Sequence, residues 1–573
     1  MKHIPALDGL RAIAVLSVVA YHAGLPVPAG FVGVDVFFVI SGYLITRLLH
    51  DEVQATSRID FMAFYARRAR RILPALAVVV LLTLLVADWL GVAGVAQSAA
   101  AAGAFVANVF FQTQTAGYWA GDAKSMPLLH LWSLSVEEQF YLVWPVVLIL
   151  ARRKPVAALA VLAAVSLALA EWWLWRSPSA AFYQMPARAW ELALGGLVAL
   201  RPVNVPKGSA WIGLAVVLLA CFVPLGHFPG VGALPAVAGS ALLIAAIQNG
   251  ESPRLLTLRP VAFVGLVSYS LYLWHWPLLA LDRAMHVGEA PLSVRLSLVA
   301  AAFVLAVVSY RYVETPFRRS RASHRRSVAA GVCCVLALSG CAWAMIPTPA
   351  PAPPLPPCDA SKIQRPSCVA GGQKLVLWGD SFAHSWSPLA LAIAKQQREP
   401  AVAFATDACP AFIGTLRLDT DEGTQNCRRR NEALVAYLKA NGADTVFIAS
   451  RWQQYIEPNA EAGFLATIPA IAPYVRRILI IGPTPVVLDD GPKCARLGVS
   501  CAVTRKAYLA NSAKQWAMVR QMARNPKVTV IDAAQWLCDG DECPGVRDGL
   551  PLYRDNAHVT HETARRFASD YVR

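Results

Sequence analysis

The sequence predicts a helical membrane domain of about eleven spans, followed by a single α/β domain with a parallel sheet. Three observations carry that expectation. The 573 residues are 56% hydrophobic and only 15% charged, with mean hydropathy +0.45, whereas soluble chains carry about 25% charged residues. Apolar runs close to the ~20 residues that cross a bilayer recur as far as Ile346. A proline-rich run, residues 347–357, then separates them from alternating strand and helix patterns of ordinary polarity. Such a run adopts polyproline II and acts as a semi-rigid spacer. The expected organisation is a membrane domain over 1–320, one additional transmembrane helix over 321–346, a linker over 347–369 and a water-exposed domain over 370–573.

Apolar length places spans at roughly 5–22, 32–50, 73–91, 131–150, 156–173, 188–200, 209–225, 231–247, 262–282, 293–312 and 328–346. The first has no small-residue cleavage site and many spans follow it, so it does not read as a signal peptide. With the N-terminus in the cytoplasm, the inside connections hold Arg67-Arg68-Ala-Arg70-Arg71, Arg152-Arg153-Lys154, Arg201 and Lys207, Arg254 and Arg259, and the basic run from Arg318 to Arg326. The outside connections are poor in Lys and Arg. This is the positive-inside pattern, and it puts the C-terminal domain outside. Topology therefore accounts for the formal charge of +16, and no nucleic-acid partner is expected. The partner of the first half is membrane lipid. Residues 96–112 are apolar enough to span, but counting them would put Arg152-Arg153-Lys154 on the wrong side. They are predicted to form a re-entrant or surface-lying helix.

Cys221, Cys333, Cys334 and Cys341 lie in apolar stretches and read as inert filler. Cys358, Cys368, Cys409, Cys427, Cys494, Cys501, Cys538 and Cys543 form an even set beyond the spans and read as disulfides. Nearest-neighbour pairing is the simplest connectivity, though sequence leaves it open. No Cys-x-x-Cys or His cluster has zinc spacing, and no metal is expected.

Within the apolar half, Arg11 and His22 share one face of the first helix, about 16 Å apart. A lone histidine at a helix end is often an interfacial anchor, but an ionisable residue inside a span counts as functional by default. The fourth span opens Leu131-Trp-Ser-Leu-Ser-Val-Glu137-Glu138-Gln139-Phe-Tyr141. Running outside to inside, it should bring Glu137 to the depth of His22, where a carboxylate could orient and polarise an imidazole. In Tyr272-Leu-Trp-His275-Trp-Pro277, Trp274 and Trp276 fit an aromatic belt, so His275 is expected to be structural. The cluster Arg67–Arg71 falls at a predicted helix start, where guanidinium forks and free backbone N–H groups suit phosphates.

Taken in order, Arg11-x10-His22, Gly33-Val-Asp-Val-Phe-Phe-Val-Ile-Ser-Gly42-Tyr, Arg68-x-x-Arg71-Ile-Leu-Pro, Trp132-Ser-Leu-Ser-Val-Glu-Glu-Gln-Phe-Tyr, Tyr272-Leu-Trp-His-Trp-Pro and Val313-Glu314-Thr-Pro-Phe resemble the membrane acyltransferase 3 family. The resemblance covers about residues 1–320. It implies transfer of an acyl group, usually acetyl from acetyl-CoA, to a sugar hydroxyl. By the same resemblance His22 would be the essential histidine, Arg11 its motif partner, and Arg68 and Arg71 would belong to the CoA side.

Beyond the linker, Lys374-Leu-Val-Leu-Trp-Gly379-Asp380-Ser381 is a strand running into a turn, a good place for a nucleophile. Near the C-terminus, Asp555-Asn-Ala-His558 offers a carboxylate to fix an imidazole tautomer, leaving the other ring nitrogen for a serine proton. Strands are expected at 445–449, 477–482 and 528–532, with helices around 386–397, 430–440 and 505–524 and a parallel sheet covered on both faces. Gly379-Asp380-Ser381 and Asp555-x-x-His558 resemble the first and last blocks of the SGNH hydrolase superfamily. Where that superfamily often has an oxyanion-hole Asn, this strand ends Ala449-Ser450-Arg451-Trp452. Arg451 and Trp452 are candidate sugar contacts, by a guanidinium and a stacking ring.

The domain order resembles fused acyltransferase 3–SGNH proteins such as O-antigen acetylases. It implies a bacterial inner-membrane enzyme whose outer domain is periplasmic, with acyl-CoA as donor and a surface polysaccharide, most naturally lipopolysaccharide O-antigen, as acceptor. Two other readings remain open in the sequence: an enzyme that removes acyl groups, and a transporter with a sugar-binding domain.

Overall fold

The computed structural model describes residues 4–115, 123–346, 375–414, 416, 418, 421–453, 455 and 460–572. The linker and the pair Cys358 and Cys368 lie outside them. The chain divides into two compact units, residues up to 347 apart from the loop 285–288, and residues from 348 on.

The first unit is all helix. It comprises α1 (Pro5–His22), α2 (Gly33–Thr56), α3 (Phe61–Trp89), α4 (Val95–Gly103), α5 (Ala107–Thr115) and α6 (Leu131–Leu150). There follow α7 (Pro155–Arg176), α8 (Pro178–Tyr183), α9 (Met185–Leu200), α10 (Ser209–Ala220) and α11 (Leu234–Gln248). It closes with α12 (Arg254–Thr257), α13 (Arg259–Met285), α14 (Leu292–Ser309), α15 (Thr315–Arg318) and α16 (His324–Ala344). All eleven expected spans are helical. Among the described residues 8 helices are long and apolar enough to cross a membrane by length and composition. The other three expected spans fall short. Three positions of α1 go to Asp8, Arg11 and His22, while α9 and α10 have only 16 and 12 residues.

Residues 96–112 are not a span. They break into α4 and α5 at Phe105, whose φ is 54°, and nine-residue helices reach only about 14 Å. Ala99, Ala107 and Phe111 are buried. Asn108 and Gln139 exchange side-chain hydrogen bonds of 3.3 and 2.9 Å, tying α5 to α6. The segment therefore packs one face into the helical unit and leaves Val106 and Val109 exposed.

Close packing without a hydrophobic drive between helices needs small residues at the contact. The α2–α9 pair shows it. A Cβ on Gly42 would lie 1.9 Å from the Leu192 carbonyl oxygen, and one on Gly195 would lie 2.0 Å from that of Val39. Beside this contact Arg188 is fully buried, 2.8 Å from both Asp35 Oδ1 and Glu191 Oε1. Phe38, Trp132, Phe182 and Phe228 surround its guanidinium at 5.4–5.9 Å from their ring centres.

The second unit is built on a five-stranded parallel sheet. Its strands are β1 (Leu375–Gly379), β2 (Ala401–Ala405), β3 (Ala443–Ala449), β4 (Val475–Ile481) and β6 (Val528–Ile531), in the order β2-β1-β3-β4-β6. A small antiparallel pair joins β5 (Val503–Thr504) to β7 (Glu542–Cys543). The helices are α17 (Ser381–Gln396), α18 (Asp421–Asn441), α19 (Ala460–Ile471), α20 (Gly491–Leu497), α21 (Arg505–Asn511), α22 (Ala513–Met522), α23 (Ala534–Leu537) and α24 (His561–Tyr571). Alternation along the strands sorts the core. Leu375, Leu377, Phe447 and Leu479 face α17 and α24, while Val376, Trp378, Val446 and Ile478 face α18, α19 and α22. Both faces are covered, as a parallel sheet requires. The sequence reading missed β2, an Ala-rich run of weak strand propensity, and expected one helix where Ser512 divides α21 from α22. Among the described residues three disulfides join neighbours in sequence: Cys409–Cys427, Cys494–Cys501 and Cys538–Cys543.

The α2–α9 contact generates a test. Gly42→Ala and Gly195→Ala should each force the helices apart and sharply lower the yield of monodisperse protein extracted from membranes. Wild-type yield from both variants would show that the contact is not needed for folding.

Candidate active sites

In the membrane unit, five helices bring polar side chains to one cavity. Arg11 comes from α1, Ser41 from α2, Arg68 and Arg71 from α3, Glu137 and Tyr141 from α6, and Tyr269 and Tyr272 from α13. It encloses about 790 Å³ of empty space, part of it open to solvent. Arg68 and Arg71 share a face at i, i+3. Arg67 instead pairs with Glu52 at 3.3 Å, and Arg70 donates to the Ser320 carbonyl at 2.7 Å. The sequence placed these arginines at a helix start. The structure corrects this: α3 begins at Phe61, capped by Asp60, which accepts from Ala63 N at 2.9 Å. The arginines lie inside the helix, where backbone N–H groups are already bonded, so only their guanidinium forks remain for an anion.

Glu137 accepts hydrogen bonds from Ser41 Oγ and Tyr141 OH, and the Arg68 guanidinium lies 5.8 Å from the Tyr141 ring centre. It does not meet His22. The partner of His22 is His275, with His22 Nδ1 3.0 Å from His275 Nε2. The Trp276 ring packs edge-on against His22 at 4.4 Å, and the His130 ring lies 5.8 Å from that of His275. The physical reason is depth along α6. His130, just ahead of the helix, is level with the histidines, and Glu137 is seven residues or about 10 Å further on. His275 is correspondingly more than a belt residue: it and Trp276 are buried, and Trp276 Nε1 donates to the Met126 carbonyl at 2.8 Å. Tyr272 joins the two regions, lining the cavity and donating through its hydroxyl to the His130 carbonyl at 3.0 Å. Sequence reasoning missed Ser41, Tyr141, Tyr272 and His130. The i, i+4 spacing of Glu137 and Tyr141 was the available signal.

In the second unit Ser381 heads α17 directly after β1. Gly379 has φ 151°, and a Cβ there would lie 1.8 Å from the Ala449 carbonyl oxygen, so the turn needs glycine. Asp380 is fully buried and joins two strand ends. Its Oδ1 accepts from Phe382 N at 2.8 Å and its Oδ2 from Arg451 N at 2.9 Å. Burial pushes its pKa up to about 7, against the pull of those two N–H groups. The strand order reverses between β1 and β3, so Ser381 stands where open α/β sheets bind ligands.

The loop before α24 completes the site. Ser381 Oγ lies 2.7 Å from His558 Nε2, and His558 Nδ1 lies 2.7 Å from Asp555 Oδ2. Asp555 Oδ1 also accepts from the N–H groups of Ala557 and His558, both at 2.8 Å. A carboxylate only accepts here, so His558 carries its proton on Nδ1 and offers Nε2 to the serine. Burial opposes the charge of Asp555, yet the bonds and charge of His558 hold its pKa below the ordinary 3.8. Burial also holds the pKa of His558 below 6.5, with Arg554 and Arg451 adding to the effect against Asp555. The arrangement can activate Ser381 as a nucleophile toward an acyl carbonyl.

Of the two candidate sugar contacts, Arg451 is partly exposed beside the triad. Trp452 is not available. It is 2% exposed, packs on Phe464 and donates from Nε1 to the Ile481 carbonyl at 2.8 Å. A strand-end aromatic reads alike in sequence whether it faces solvent or core.

A helical membrane unit joined to a triad-bearing α/β unit defines a two-domain acyl-transfer architecture. Residues 4–311 match the family model described as an acyltransferase domain, more than half of the chain, and residues 357–573 match an SGNH domain fused to AT3 domains. The chain belongs to this membrane acyltransferase family. It is 30% identical over 350 residues to the peptidoglycan O-acetyltransferase OatA of Listeria monocytogenes, covering 56% of each chain. It is 33% identical over 349 residues to the O-acetyltransferase OatA of Staphylococcus aureus, covering 56% of this chain and 58% of that one. The chain thus spans about half the length of the curated relatives it matches. A solved periplasmic domain of a Salmonella ser. Paratyphi A lipopolysaccharide acetyltransferase aligns over 36% of this chain and 84% of that one, with TM-score 0.28 and 17% identity.

The lowered pKa of His558 sets a pH limit. Its neutral form persists below pH 6.5, so Ser381-dependent turnover should hold at pH 6.5 and fall only in more acidic buffer. A pH–rate profile on a soluble ester checks this, and an acid limb centred above 6.5 contradicts it. Ser381→Ala and His558→Ala should each remove that activity, and the double variant should be no worse than either, because nucleophile and base act as one unit.

Proposed function

We propose that this protein is an inner-membrane O-acyltransferase that moves an acetyl group from cytoplasmic acetyl-CoA to a hydroxyl of a cell-surface polysaccharide. The observation that carries the reading is the Ser381–His558–Asp555 triad in a chain whose other half belongs to an acyltransferase family. Arg68 and Arg71, with Arg11, take the CoA phosphates by charge-assisted hydrogen bonds. At the membrane site His22, as general base, takes the proton of the hydroxyl that attacks the thioester carbonyl, and that proton passes to the departing CoA sulfur, leaving an acetyl ester and the CoA thiol. On the periplasmic side Ser381 Oγ attacks the carbonyl of that acetyl ester while His558 Nε2 takes the serine proton and gives it to the oxygen that leaves. A sugar hydroxyl then attacks the acyl-enzyme, its proton passing through His558 Nε2 to the departing Ser381 Oγ. Attack by sugar instead of water makes the triad a transferase.

The acceptor we propose is lipopolysaccharide O-antigen, on the resemblance in domain order. Peptidoglycan is the second reading, favoured by the name of the Listeria relative. Mass analysis of both polymers from cells with and without the gene separates them, since only the true acceptor loses acetyl groups.

His22→Ala should abolish acetylation while protein level and insertion stay near normal, because removing a polar group does not impede insertion. Arg68→Ala with Arg71→Ala should raise the acetyl-CoA concentration needed, by about 10-fold or more for two lost charged hydrogen bonds. Full acetylation by the His22 variant would overturn the assignment of the base. For topology, a reporter fused after Arg326 should read cytoplasm and one after Pro357 periplasm. A cytoplasmic signal from the second fusion would overturn the two-compartment scheme.

A further inference from the structure

The histidine cluster of the membrane unit contains more order than a base requires. His275 Nδ1 lies 2.8 Å from the Tyr272 carbonyl oxygen and 3.2 Å from that of Leu271. A carbonyl oxygen can only accept, so this nitrogen carries a proton. The His275 ring is 0% exposed and makes no ion pair among the described residues. A second proton would bury an uncompensated charge, so the ring is neutral and its Nε2 is bare. Among the described residues, the group facing that nitrogen at hydrogen-bond distance is His22 Nδ1, at 3.0 Å. His22 must therefore donate, with its proton on Nδ1. A neutral His22 ring then has its lone pair on Nε2.

We propose that His275 is a positioning residue for His22: through the Tyr272 carbonyl it locks His22 in the Nδ1–H tautomer and leaves Nε2 as the base. The proposal rests on the reading of His22 given above and adds which nitrogen reacts and what fixes it. The surroundings hold the geometry. The two imidazoles lie within 9° of parallel. Trp276 closes on His22 at 4.4 Å, and Arg283 donates to the His22 carbonyl at 2.9 Å, pinning the end of α1. A backbone carbonyl fixes one imidazole, which fixes the next.

The test uses the full-length protein in lipid bilayers, labelled with 15N-histidine, with His22→Ala giving the resonance assignment. The ring of His22 should show a protonated Nδ1 and a bare Nε2, without any donor present. His275→Leu fills similar space but cannot accept, and should leave His22 in both tautomers with acetyl transfer reduced about 100-fold or more. His275→Gln offers an amide oxygen near the position of Nε2 and should restore the Nδ1–H signal and most of the activity. A wild-type His22 ring protonated on Nε2 overturns the proposal. So does a His275→Leu variant with unchanged signal and turnover, or a His275→Gln variant that inserts normally yet fails as His275→Leu does. If instead His22→Ala acetylates normally, the functional reading fails, while the tautomer measurement still decides the positioning claim.

Discussion

An imidazole is a base only at the nitrogen that its neighbours leave bare, and both halves of this chain are arranged around that constraint. In the α/β unit Asp555 accepts a hydrogen bond from Nδ1–H of His558 and so turns Nε2 to Ser381 Oγ. In the membrane unit the Tyr272 carbonyl accepts from Nδ1–H of His275, whose Nε2 accepts from Nδ1–H of His22. The two devices differ as their solvents differ. A carboxylate beside water stays charged and stabilises an imidazolium as it forms. A helix carbonyl in an apolar unit supplies direction without a net charge that would have to be buried.

The same economy explains where charge does occur among the helices. Arg188 is matched by Asp35 and Glu191 and wrapped by four aromatic faces, far more contact than a lone guanidinium could find in lipid. Breaking such a buried group by removing one partner costs about 3–5 kcal/mol. It sits against the α2–α9 contact, where glycine lets the backbones meet. Arg11, Arg68 and Arg71 differ in lining a cavity with space for a ligand, although Arg11 also pairs with Asp8 at 3.8 Å. Their nearest acidic neighbour in that cavity, Glu137, is already held by Ser41 and Tyr141. Three arginines thus line one cavity in the helical unit.

The legible parts of the sequence were those set by a single period or a short motif. Length and apolarity marked every helix that became a long element of the membrane unit, and Ser381, Asp555 and His558 meet because turn and spacing place them locally. Glu137 failed for a reason of depth. Equal counting from two helix ends assumed level starts, and α6 starts level with His130. His275 read as a belt residue because flanking tryptophans look alike at a lipid interface and in a buried cluster. Helix α3 began earlier than expected, since hydropathy sees the apolar stretch and not the capping Asp60 before it. Strand β2 was invisible because Ala401, Ala403 and Ala405 carry little strand preference, and only pairing with β1 makes them a strand.

The end of β3 shows how a departure from a family pattern can be absorbed. The register sets Gly379 opposite Ala449, so the residues after each strand meet. Arg451 N–H is then committed to Asp380 Oδ2 and cannot serve a developing oxyanion. Asp380 in turn commits Phe382 N–H and, through its own carbonyl, Ala383 N–H. What remains at the head of α17 is the N–H of Ser381, aligned with the helix dipole beside its own hydroxyl. The buried carboxylate therefore does two things with one group: it ties the strand ends that frame the nucleophile, and it removes the competing donors around it. The Arg451 side chain is left at the rim of the site, where its charge already helps keep His558 neutral, the state in which a base can take a proton.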